Sequence, residues 1–362
     1  MNTKYLAVLS VLIIAAATIG GALLFVDQND SDESYAIVVT DDAGKEIKLR
    51  EPLERVAVVN SNIPIFLQIL DLKDKVIGMD SLVLTKDIAE YYPGMIDFGK
   101  NDAMNGEKML EANVKHILSP TSMGVKNTEA LEALGITTIT VECFGETMLN
   151  DVDLLVKLFG SKNEQVVAAE RYKNMYYETV NTVLEKAAEK KDKDSSWNPS
   201  FLFQMASSKG DPFYTETDQL SMIVEQIGGH NMIRDLGGFK PAIKQTASIS
   251  DDAIVDYDMK EGLDYVFIRS LDSGAEASYA KFLSLSSLES WNTLNPILDR
   301  NVYTLDTRIA SGAMIFVGYV CIGEAYGLDL TEDPSALVER FNTEFGFNFS
   351  SEGLMQQFPA VE

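Results

Sequence analysis

The sequence predicts an α/β fold in which two Rossmann-like lobes, each with a mainly parallel sheet, are joined by one long α-helix. Three observations support this prediction. Strand-like apolar runs alternate with helical patterns between Arg55 and Phe159, the alternation restarts after Trp197, and one unusually long helical pattern separates the two stretches. Alternating strands and helices are typical of βαβ units, in which a crossover helix connects parallel strands.

An apolar helix and a short acidic linker are predicted over residues 1–34. Tyr5–Val26 is 22 residues long and carries no charge, and a membrane-spanning helix needs about 20 apolar residues. Lys4 precedes the segment and Asp27 and Asp30 follow it, an asymmetry that places the remaining chain outside the cytoplasm. We expect residues 5–26 to tether the protein to the outer face of the cell membrane. Secretion after cleavage of a signal peptide is the alternative.

The first lobe is predicted over residues 35–160. It begins with a hairpin of Val38–Thr40 and Lys45–Leu49 around an acidic turn that contains a glycine. A buried strand at Arg55–Val59 is followed by a helix over Ile65–Leu70 that Pro64 opens. The remaining strand-like and helical patterns of this lobe cover Val76–Met79, Val114–Leu118, Lys126–Leu134, Thr137–Val141 and Glu146–Leu158.

A single long helix is predicted over residues 161–194. Apolar residues keep helical spacing from Val166 through Tyr172 and Val180 to Leu184, and a highly charged run follows. The pattern is too long for an ordinary crossover helix. A coiled-coil segment is the alternative, but the run is isolated and its heptads are imperfect. A stiff connection between two lobes fits the pattern better.

The second lobe is predicted over residues 195–332, and a closing helix with a tail over residues 333–362. Strand-like runs of the second lobe lie at Phe201–Gln204, Tyr265–Arg269 and Val302–Leu305. Helical patterns lie at Gln219–Ile227, Asp251–Asp256, Ile309–Tyr326 and, for the closing helix, Asp333–Phe345. The part of the chain that follows the linker is longer than the size at which a protein with a single hydrophobic core usually divides into two domains.

Several of these segments resemble one protein family. The hairpin, strand, helix and strand of residues 38–80 resemble the start of the mature substrate-binding proteins of ABC importers that capture iron–siderophore complexes, haem or cobalamin. QIGGHNMIRDLGG and SWNTLNPILDRNVYTLD resemble segments of the family's second lobe, and DPSALVERFNTEF resembles its closing helix. The resemblance runs from about Val38 to Phe347. It implies the class III periplasmic-binding-protein fold, with its single long connecting helix.

The resemblance also implies partners. A monomeric receptor of this family delivers a small metal chelate to a permease dimer with its ATPase subunits. The ligand that we expect is a ferric siderophore or another iron chelate, and cobalamin, another corrinoid or haem is the alternative within the same fold. An enzyme of another class, a chelatase-like protein that acts on a metal cofactor, is the more distant alternative.

Composition excludes several functions. A net charge of −25, from 55 acidic and 30 basic residues, argues against binding to nucleic acid or to anionic lipid headgroups. The two histidines have no spacing for a metal pair, so we expect neither a resident metal nor a cofactor. Cys143 and Cys321, which the resemblance places in different lobes, are expected to be buried thiols. Hydrolase, P-loop and dinucleotide motifs are absent from the sequence, which favours binding without catalysis.

The loops at the carboxyl ends of the predicted strands are the candidate ligand site, because ligands of open α/β sheets bind there. In the second lobe Arg269 and Arg308 directly follow strands, and two guanidinium groups would suit an anionic ferric chelate. The alternative is that the arginines pair with local carboxylates such as Asp306 or Asp272. The candidate ligand-binding residues are Asn60, Ser61, Ser122 and Met123 of the first lobe and Tyr214, Arg269 and Arg308 of the second.

Two acidic residues are candidates for docking on the permease. Glu107 and Asp252 lie near the start of helices that precede strands in corresponding parts of the two lobes. The resemblance implies that a glutamate at each place pairs with arginines of the permease, and Glu107 matches this position. Asp252 departs from it, since its side chain is shorter. Stabilisation of the helix dipole by an acidic residue in the first turn is the alternative role of both residues.

Overall fold

The computed structural model describes residues 35–206, 213–214, 219–236, 249–270 and 291–357. The chain divides into two units, Met1–Tyr35 and Ala36–Glu362, and all the described residues except Tyr35 belong to the second unit. The predicted membrane tether at residues 5–26 lies outside the described residues. None of the described helices has the length and apolar character that crossing a membrane requires.

The second unit begins with the predicted hairpin, which is confirmed. Strands β1 (Ile37–Thr40) and β2 (Glu46–Leu49) pair antiparallel. The carboxylate of Asp41 closes the turn by accepting hydrogen bonds from the amides of Ala43 (3.1 Å) and Lys45 (2.8 Å). An aspartate in this position satisfies turn amides that would otherwise lack a partner.

A parallel sheet of five strands follows, in the order β5-β4-β3-β6-β7. Its central strand is fully buried, as expected for a parallel sheet that helices cover. The strands are β3 (Val56–Val58), β4 (Val76–Met79), β5 (Ile96–Asp97), β6 (His116–Ser119) and β7 (Thr137–Thr140). The helices among them are α1 (Asn62–Ile69), α2 (Gly106–Glu111), α3 (Thr128–Ala133) and α4 (Met148–Leu158).

The start of α1 corrects a prediction. The helix begins at Asn62, two residues before Pro64, so the proline lies in the first turn instead of opening the helix. The missing N–H of a proline costs little there, because the first amides of a helix have no acceptor within the helix. The proline therefore permits an earlier start than its position in the sequence suggested.

Helix α5 (Asn163–Lys193) is a single helix of 31 residues, as predicted. Its buried side chains recur at helical spacing, for example at Ala169, Tyr172, Val180 and Val183. They do not face a second long helix, as a coiled coil would require. Instead α5 packs against α1 and α4 on one side and, on the other, against helices α6 (Gln219–Ile227) and α11 (Ile315–Ala325) of the second half.

The second sheet has six described strands, with β10, β8, β11, β12 and β13 in order and β9 beside β8. The pairs of β8 with β10 and β11, and of β11 with β12, are parallel. The strands are β8 (Ser200–Ala206), β9 (Phe213–Tyr214), β10 (His230–Asn231), β11 (Tyr265–Ser270), β12 (Val302–Leu305) and β13 (Met355–Gln357). The remaining helices are α7 (Met232–Asp235), α8 (Asp251–Glu261), α9 (Asn295–Leu298), α10 (Thr307–Ala310) and α12 (Pro334–Phe345). The predicted fold class is confirmed.

The prediction of one continuous helix over Ile309–Tyr326 is wrong. The pattern over Ile309–Tyr326 is divided into α10, a 3₁₀ turn at Gly312–Met314 and α11. Ser311 is extended and Gly312 has φ +76°, which an α-helix cannot include. The apolar residues on both sides of the break are buried together, so their spacing resembled one helix.

A continuous apolar core joins the elements of the two sheets. The ring of Tyr172 on α5 meets Phe66 of α1 at 5.2 Å and Phe345 of α12 at 6.2 Å, both edge to face. Its hydroxyl donates a hydrogen bond to the carbonyl of Ala313 (3.0 Å) in the turn before α11. Because the described residues of the second unit share this core, the lobe limits derived from the sequence remain predictions.

The closing helix α12 contacts the first half of the chain, as the sequence suggested. The Gln68 amide donates a hydrogen bond to the carbonyl of Phe345 (3.1 Å), and the amide of Asn348 donates one to the Tyr91 hydroxyl (2.8 Å). The Tyr91 ring also meets Phe347 at 5.1 Å. The segment after α12 is thus held against the first half by both polar and aromatic contacts.

We expect Tyr172→Phe to lower the free energy of unfolding by about 1–3 kcal/mol, because the buried carbonyl of Ala313 would lose its donor. Urea unfolding followed by circular dichroism would measure the loss. Tyr177→Phe is the matched control on the same helix, since Tyr177 is 44% exposed. Equal stability of the two variants would contradict the role assigned to the Tyr172 hydroxyl.

Candidate functional site

The two halves meet at Asn62, the first residue of α1, and Gly312, in the turn between α10 and α11. A β-carbon on Gly312 would lie 2.7 Å from Oδ1 of Asn62, so the segment that follows β3 contacts the segment that follows α10. The amide of Gly312 also donates a hydrogen bond to Oε1 of Gln219 (3.2 Å), at the start of α6. This contact marks where the two strand-end surfaces approach each other, and we take the surfaces around it as the candidate ligand crevice.

The loop after β3 carries Asn60 and Ser61. Asn60 has φ +81°, and its side-chain oxygen accepts a hydrogen bond from the amide of Asn62 (2.8 Å). The amide of Asn60 donates to Oδ2 of Asp80 (3.2 Å), a buried carboxylate at the end of β4. Ser61 is half-buried at the N-cap of α1 and does not cap the helix with its side chain. Its hydroxyl remains available to a polar ligand.

The loop after β6 presents Ser122 and Met123 to solvent. Met123 is 67% exposed and has φ +58°, and its carbonyl accepts a hydrogen bond from Nδ2 of Asn101 (2.7 Å). Ser119 Oγ accepts a hydrogen bond from the amide of Val125 (3.0 Å), which closes the base of the loop. An apolar side chain is therefore held outward by a well-bonded backbone.

Three residues other than glycine have positive φ in the segments that follow strands β3, β6 and β7 of the first sheet. They are Asn60 after β3, Met123 after β6 and Cys143 after β7, with φ values of 81°, 58° and 55°. Asparagine adopts this conformation readily, but methionine and cysteine do so at a cost of about 1–3 kcal/mol. Strain of this kind concentrates at functional sites, which favours this edge as a binding surface.

The two candidate arginines have different surroundings. Nη2 of Arg269, at the end of β11, donates a hydrogen bond to Oγ of Ser311 (3.0 Å). Arg308 forms a two-pronged ion pair with Asp306, at 3.0 Å from Nε and 2.7 Å from Nη2, and donates from Nη1 to the carbonyl of Ser350 (3.2 Å). Hydrogen bonding to Asp306 raises the pKa of the Arg308 guanidinium. Pairing with a local carboxylate, the alternative that the sequence left open, is what the structure shows for Arg308.

Two residues named in the sequence analysis lie partly or wholly outside the described residues. Tyr214 pairs through its backbone with Gln204 of β8, and its side chain lies outside the described part of the chain. Asp272, the carboxylate proposed as a partner for Arg269, lies outside the described residues.

Glu107 and Asp252 are exposed in the first turns of α2 and α8. Each helix already has a side-chain cap, because Asn105 accepts a hydrogen bond from the amide of Lys108 (2.9 Å) and Ser250 accepts one from Ala253 (3.3 Å). Neither acidic side chain forms an ion pair with another described residue. Both carboxylates are free to meet a partner, although they still gain from the helix dipole.

Two shallow concavities lie beside these helices and away from the crevice. One, of about 500 Å³, is lined by Met95, Lys108 and Glu111 among others, and the second, of about 520 Å³, by Asp235, Tyr257 and Lys260 among others. Within the part of the chain that the structure describes, no group of three or more histidine, cysteine or acidic side chains could hold a metal ion. The candidate site thus rests on the strand-end loops.

Sequence reasoning missed the residues that hold these loops in place. Asn62 and Gly312 form the contact between the halves, and Asp80 and Glu142 bind loop amides at strand ends. A glycine after a strand is only weak evidence of such a structural role. A single acidic residue is no evidence in a sequence that has 55 of them. Only the fold brings these groups to the crevice.

No protein-family model matches the chain, and no curated protein matches it. Solved structures do match. A TroA-like periplasmic binding protein, FepB, from Veillonella parvula is 16% identical, with a TM-score of 0.66 and coverage of 89% of this chain and 100% of the other. A periplasmic haem-binding protein from Pseudomonas aeruginosa is 13% identical, with a TM-score of 0.61 and coverage of 85% and 99%.

An ABC-type Fe³⁺-hydroxamate transport protein from Saccharomonospora viridis is 14% identical, with a TM-score of 0.60 and coverage of 81% of this chain and 100% of the other. At these identities the similarity establishes the fold and leaves the ligand open. The chain has the fold of periplasmic binding proteins with one long connecting helix, and the resemblance drawn from the sequence is confirmed at that level.

We expect Gly312→Ala to destabilise the protein by at least about 1 kcal/mol more than Gly44→Ala, because only the first forces a side chain against Asn62. Gly44 is a matched control, since its φ of +77° is nearly that of Gly312 (+76°) and its β-carbon would meet nothing within 4 Å. The backbone cost, about 1–2 kcal/mol, is common to both variants. Equal unfolding free energies in urea would contradict the contact between the two loops.

Proposed function

We propose that the chain is an extracytoplasmic solute-binding receptor of an ABC importer, which captures a ferric siderophore or another iron chelate and delivers it to the permease. The proposal is carried by one observation: the segments that follow β3 and β12, at the carboxyl ends of two mainly parallel sheets, meet at Asn62 and Gly312, in a fold that this chain shares with periplasmic binding proteins. The segment at residues 5–26 would tether the receptor to the cell membrane, or would be removed on secretion.

The ligand would lie between the two strand-end surfaces. Asn60, Ser61, Ser122 and Met123 would contact it from the first sheet, and Tyr214, Arg269 and Arg308 from the second. Both arginines would contact an anionic group, and Asp306 already balances the charge of Arg308. Two of the similar solved structures support an iron chelate as the ligand. One is a haem-binding protein, and the other belongs to an Fe³⁺-hydroxamate transport system.

Haem or a corrinoid is the second candidate, and Met123 favours it. An apolar side chain that is 67% exposed at the crevice would pack on the face of a large ring better than on a small hydrophilic chelate. In both cases the protein would bind its ligand without changing it chemically. Movement of the halves on binding would be small, because α5 packs against helices of both.

Delivery would use Glu107 and Asp252. Their exposed carboxylates, one from each half, would pair with basic residues on the two subunits of the permease, whose ATPase subunits drive import. Charges at the rim of a protein–protein interface chiefly determine how fast the two proteins meet and how they are oriented. They contribute little to the affinity of the receptor for its ligand. The receptor would act as a monomer, with one half of the protein on each permease subunit.

We expect the purified full-length chain to bind one member of a ligand panel with a dissociation constant in the micromolar range or below, corresponding to about −8 kcal/mol or more. The panel consists of ferric hydroxamate, catecholate and citrate complexes, haemin and cyanocobalamin, and calorimetric titration would measure each affinity. Binding of haemin or cyanocobalamin alone would favour the second candidate. The absence of binding to every member would contradict the proposed function.

The arginines provide a control for the same titration. If the bound ligand is an anionic chelate, Arg269→Ala should weaken its binding about tenfold or more, because a charge-assisted hydrogen bond is lost. Arg308→Ala should weaken binding less, because Asp306 already balances that charge. An unchanged affinity in Arg269→Ala would remove Arg269 from the site without affecting the proposed class of protein.

We expect the double variant Glu107→Gln/Asp252→Asn to keep its ligand affinity but to reduce uptake about tenfold or more in cells that contain the importer, because both docking charges are lost. Uptake of radiolabelled ligand would measure this effect. Glu111→Gln is the matched control, being an exposed charge at the other end of α2. Unchanged uptake in the double variant would contradict the docking role.

A further inference from the structure

An exposed loop at the edge of the crevice is held by two side chains. Thr121, Ser122 and Met123 are all exposed. The amide of Thr121 donates a hydrogen bond to Oε1 of Glu142 (2.8 Å), and Nδ2 of Asn101 donates one to the carbonyl of Met123 (2.7 Å). Glu142 is therefore the group that fixes the start of this loop from the end of the neighbouring strand, β7.

The backbone of Glu142 is itself held by a pair of carboxyl groups. The amide of Glu142 donates a hydrogen bond to Oδ2 of Asp42 (2.8 Å), in the turn of the hairpin. The next amide, that of Cys143, donates to Oδ2 of Asp151 (2.8 Å), on α4. The carboxyl group of Asp42 also interacts with that of Asp151, both by a side-chain hydrogen bond and by its charge. The hairpin and α4 thus both accept hydrogen bonds from the segment that follows β7.

The surroundings of Asp151 favour its protonated form. Asp151 is fully buried, and its Oδ1 accepts no hydrogen bond from any described residue. An ionised oxygen could not remain there without a donor, but a protonated carboxyl can donate to its neighbour, Asp42. Burial, followed by the negative charge of Asp42, raises the pKa of Asp151 to about 8. Asp151 is therefore protonated at neutral pH.

The other groups near the pair do not titrate in this range or are bound elsewhere. Burial raises the pKa values of the Cys143 thiol and of the Tyr172 hydroxyl on α5 well above their usual ranges, so both stay neutral. Asp41 accepts hydrogen bonds from three backbone amides, and Thr147 donates its hydroxyl to Oδ2 of Asp151 (3.2 Å). Among these groups, Asp151 is the one whose charge changes near neutral pH.

We infer that Asp42, Asp151 and Glu142 are positioning residues for the loop Thr121–Met123, and that the loop is held for ligand binding only while the two aspartates share their proton. Loss of the proton places two negative charges side by side, which separates the hairpin from α4, shifts the amide of Glu142 and releases Thr121. The part of this inference that concerns ligand affinity rests on the proposed function; the part that concerns the loop does not.

The direction of the pH dependence follows from the sign of the shift. Asp151 titrates at a higher pH in the folded protein than its usual 3.8. Its contribution to stability is therefore complete at low pH and is lost as the pH rises through the folded pKa, near about 8. Asp151→Asn cannot ionise, yet its amide can still donate to Asp42 and its oxygen can still accept from Cys143. The variant should lack this loss.

Hydrogen–deuterium exchange of the full-length chain tests the loop directly. The protection factor of the Thr121 amide, corrected for intrinsic exchange, should fall about tenfold or more between about pH 7 and pH 9 in the wild type and stay within about twofold in Asp151→Asn. Asp153→Asn, which removes a charge from the same helix, should behave as the wild type. In Asp42→Asn the midpoint should move to lower pH, because the repelling charge is gone.

Titration with haemin and with a ferric trihydroxamate at the two pH values tests the consequence. The wild-type dissociation constant for whichever of the two binds should rise about tenfold at the higher pH, and that of Asp151→Asn should change less than about twofold. Glu142→Ala, which removes the acceptor of the Thr121 amide, should lose protection of Thr121 even at the lower pH. Wild-type protection that does not depend on pH, or a fall that Asp151→Asn retains, would overturn the inference. If neither probe binds the wild type at any pH, the proposed function fails and the exchange data still decide the role of the aspartates.

Discussion

The burial of Tyr172 between the two sheets is the interaction on which the crevice depends. The ring lies against Phe66 and Phe345, from helices at opposite ends of the chain, so its position fixes α5 relative to both. A buried hydroxyl needs a hydrogen-bond partner, and the carbonyl of Ala313 supplies it. That bond places the turn at Gly312 directly against Asn62. The floor of the candidate site is thus a consequence of one side chain on the connecting helix.

The first edge of the crevice is built largely from carboxylates that bind backbone amides. Asp80 holds Asn60, Glu142 holds Thr121, and Asp97 holds Gly99 (2.8 Å). Each bond stabilises a loop conformation that the loop sequence alone would not favour. A part of the large negative charge of this chain therefore serves the architecture of the site. It also explains why a charge count indicated solubility and excluded partners but did not reveal the site.

The fold could be predicted from the sequence because its determinants are local. Strands such as β3 and β12 are short apolar runs, and α5 keeps helical spacing over its whole length. The break at Gly312 was missed because buried apolar residues continue on both sides of it. Strand β13 was missed because its residues alternate weakly and pair only at the edge of the sheet.

The candidate site could be located only to its loops. The sequence placed Arg269 and Arg308 directly after strands, whereas Arg269 lies within the end of β11 and Arg308 within α10, one turn beyond β12. The pairing of Arg308 with Asp306 depends on side-chain geometry. The positive φ of Met123 and the bond between Glu142 and Thr121 depend on neighbouring strands. Contacts between residues far apart in the chain leave no periodic signal in a single sequence.

The closing helix has a consequence for the order of folding. Gln68 and Phe345 are 277 residues apart in the chain, and Tyr91 and Asn348 are 257 apart, yet both pairs are bonded in the native protein. The first half therefore lacks these contacts until almost the whole chain has emerged. Contacts of such long range slow folding, because the closure of a large loop precedes any gain from the contact.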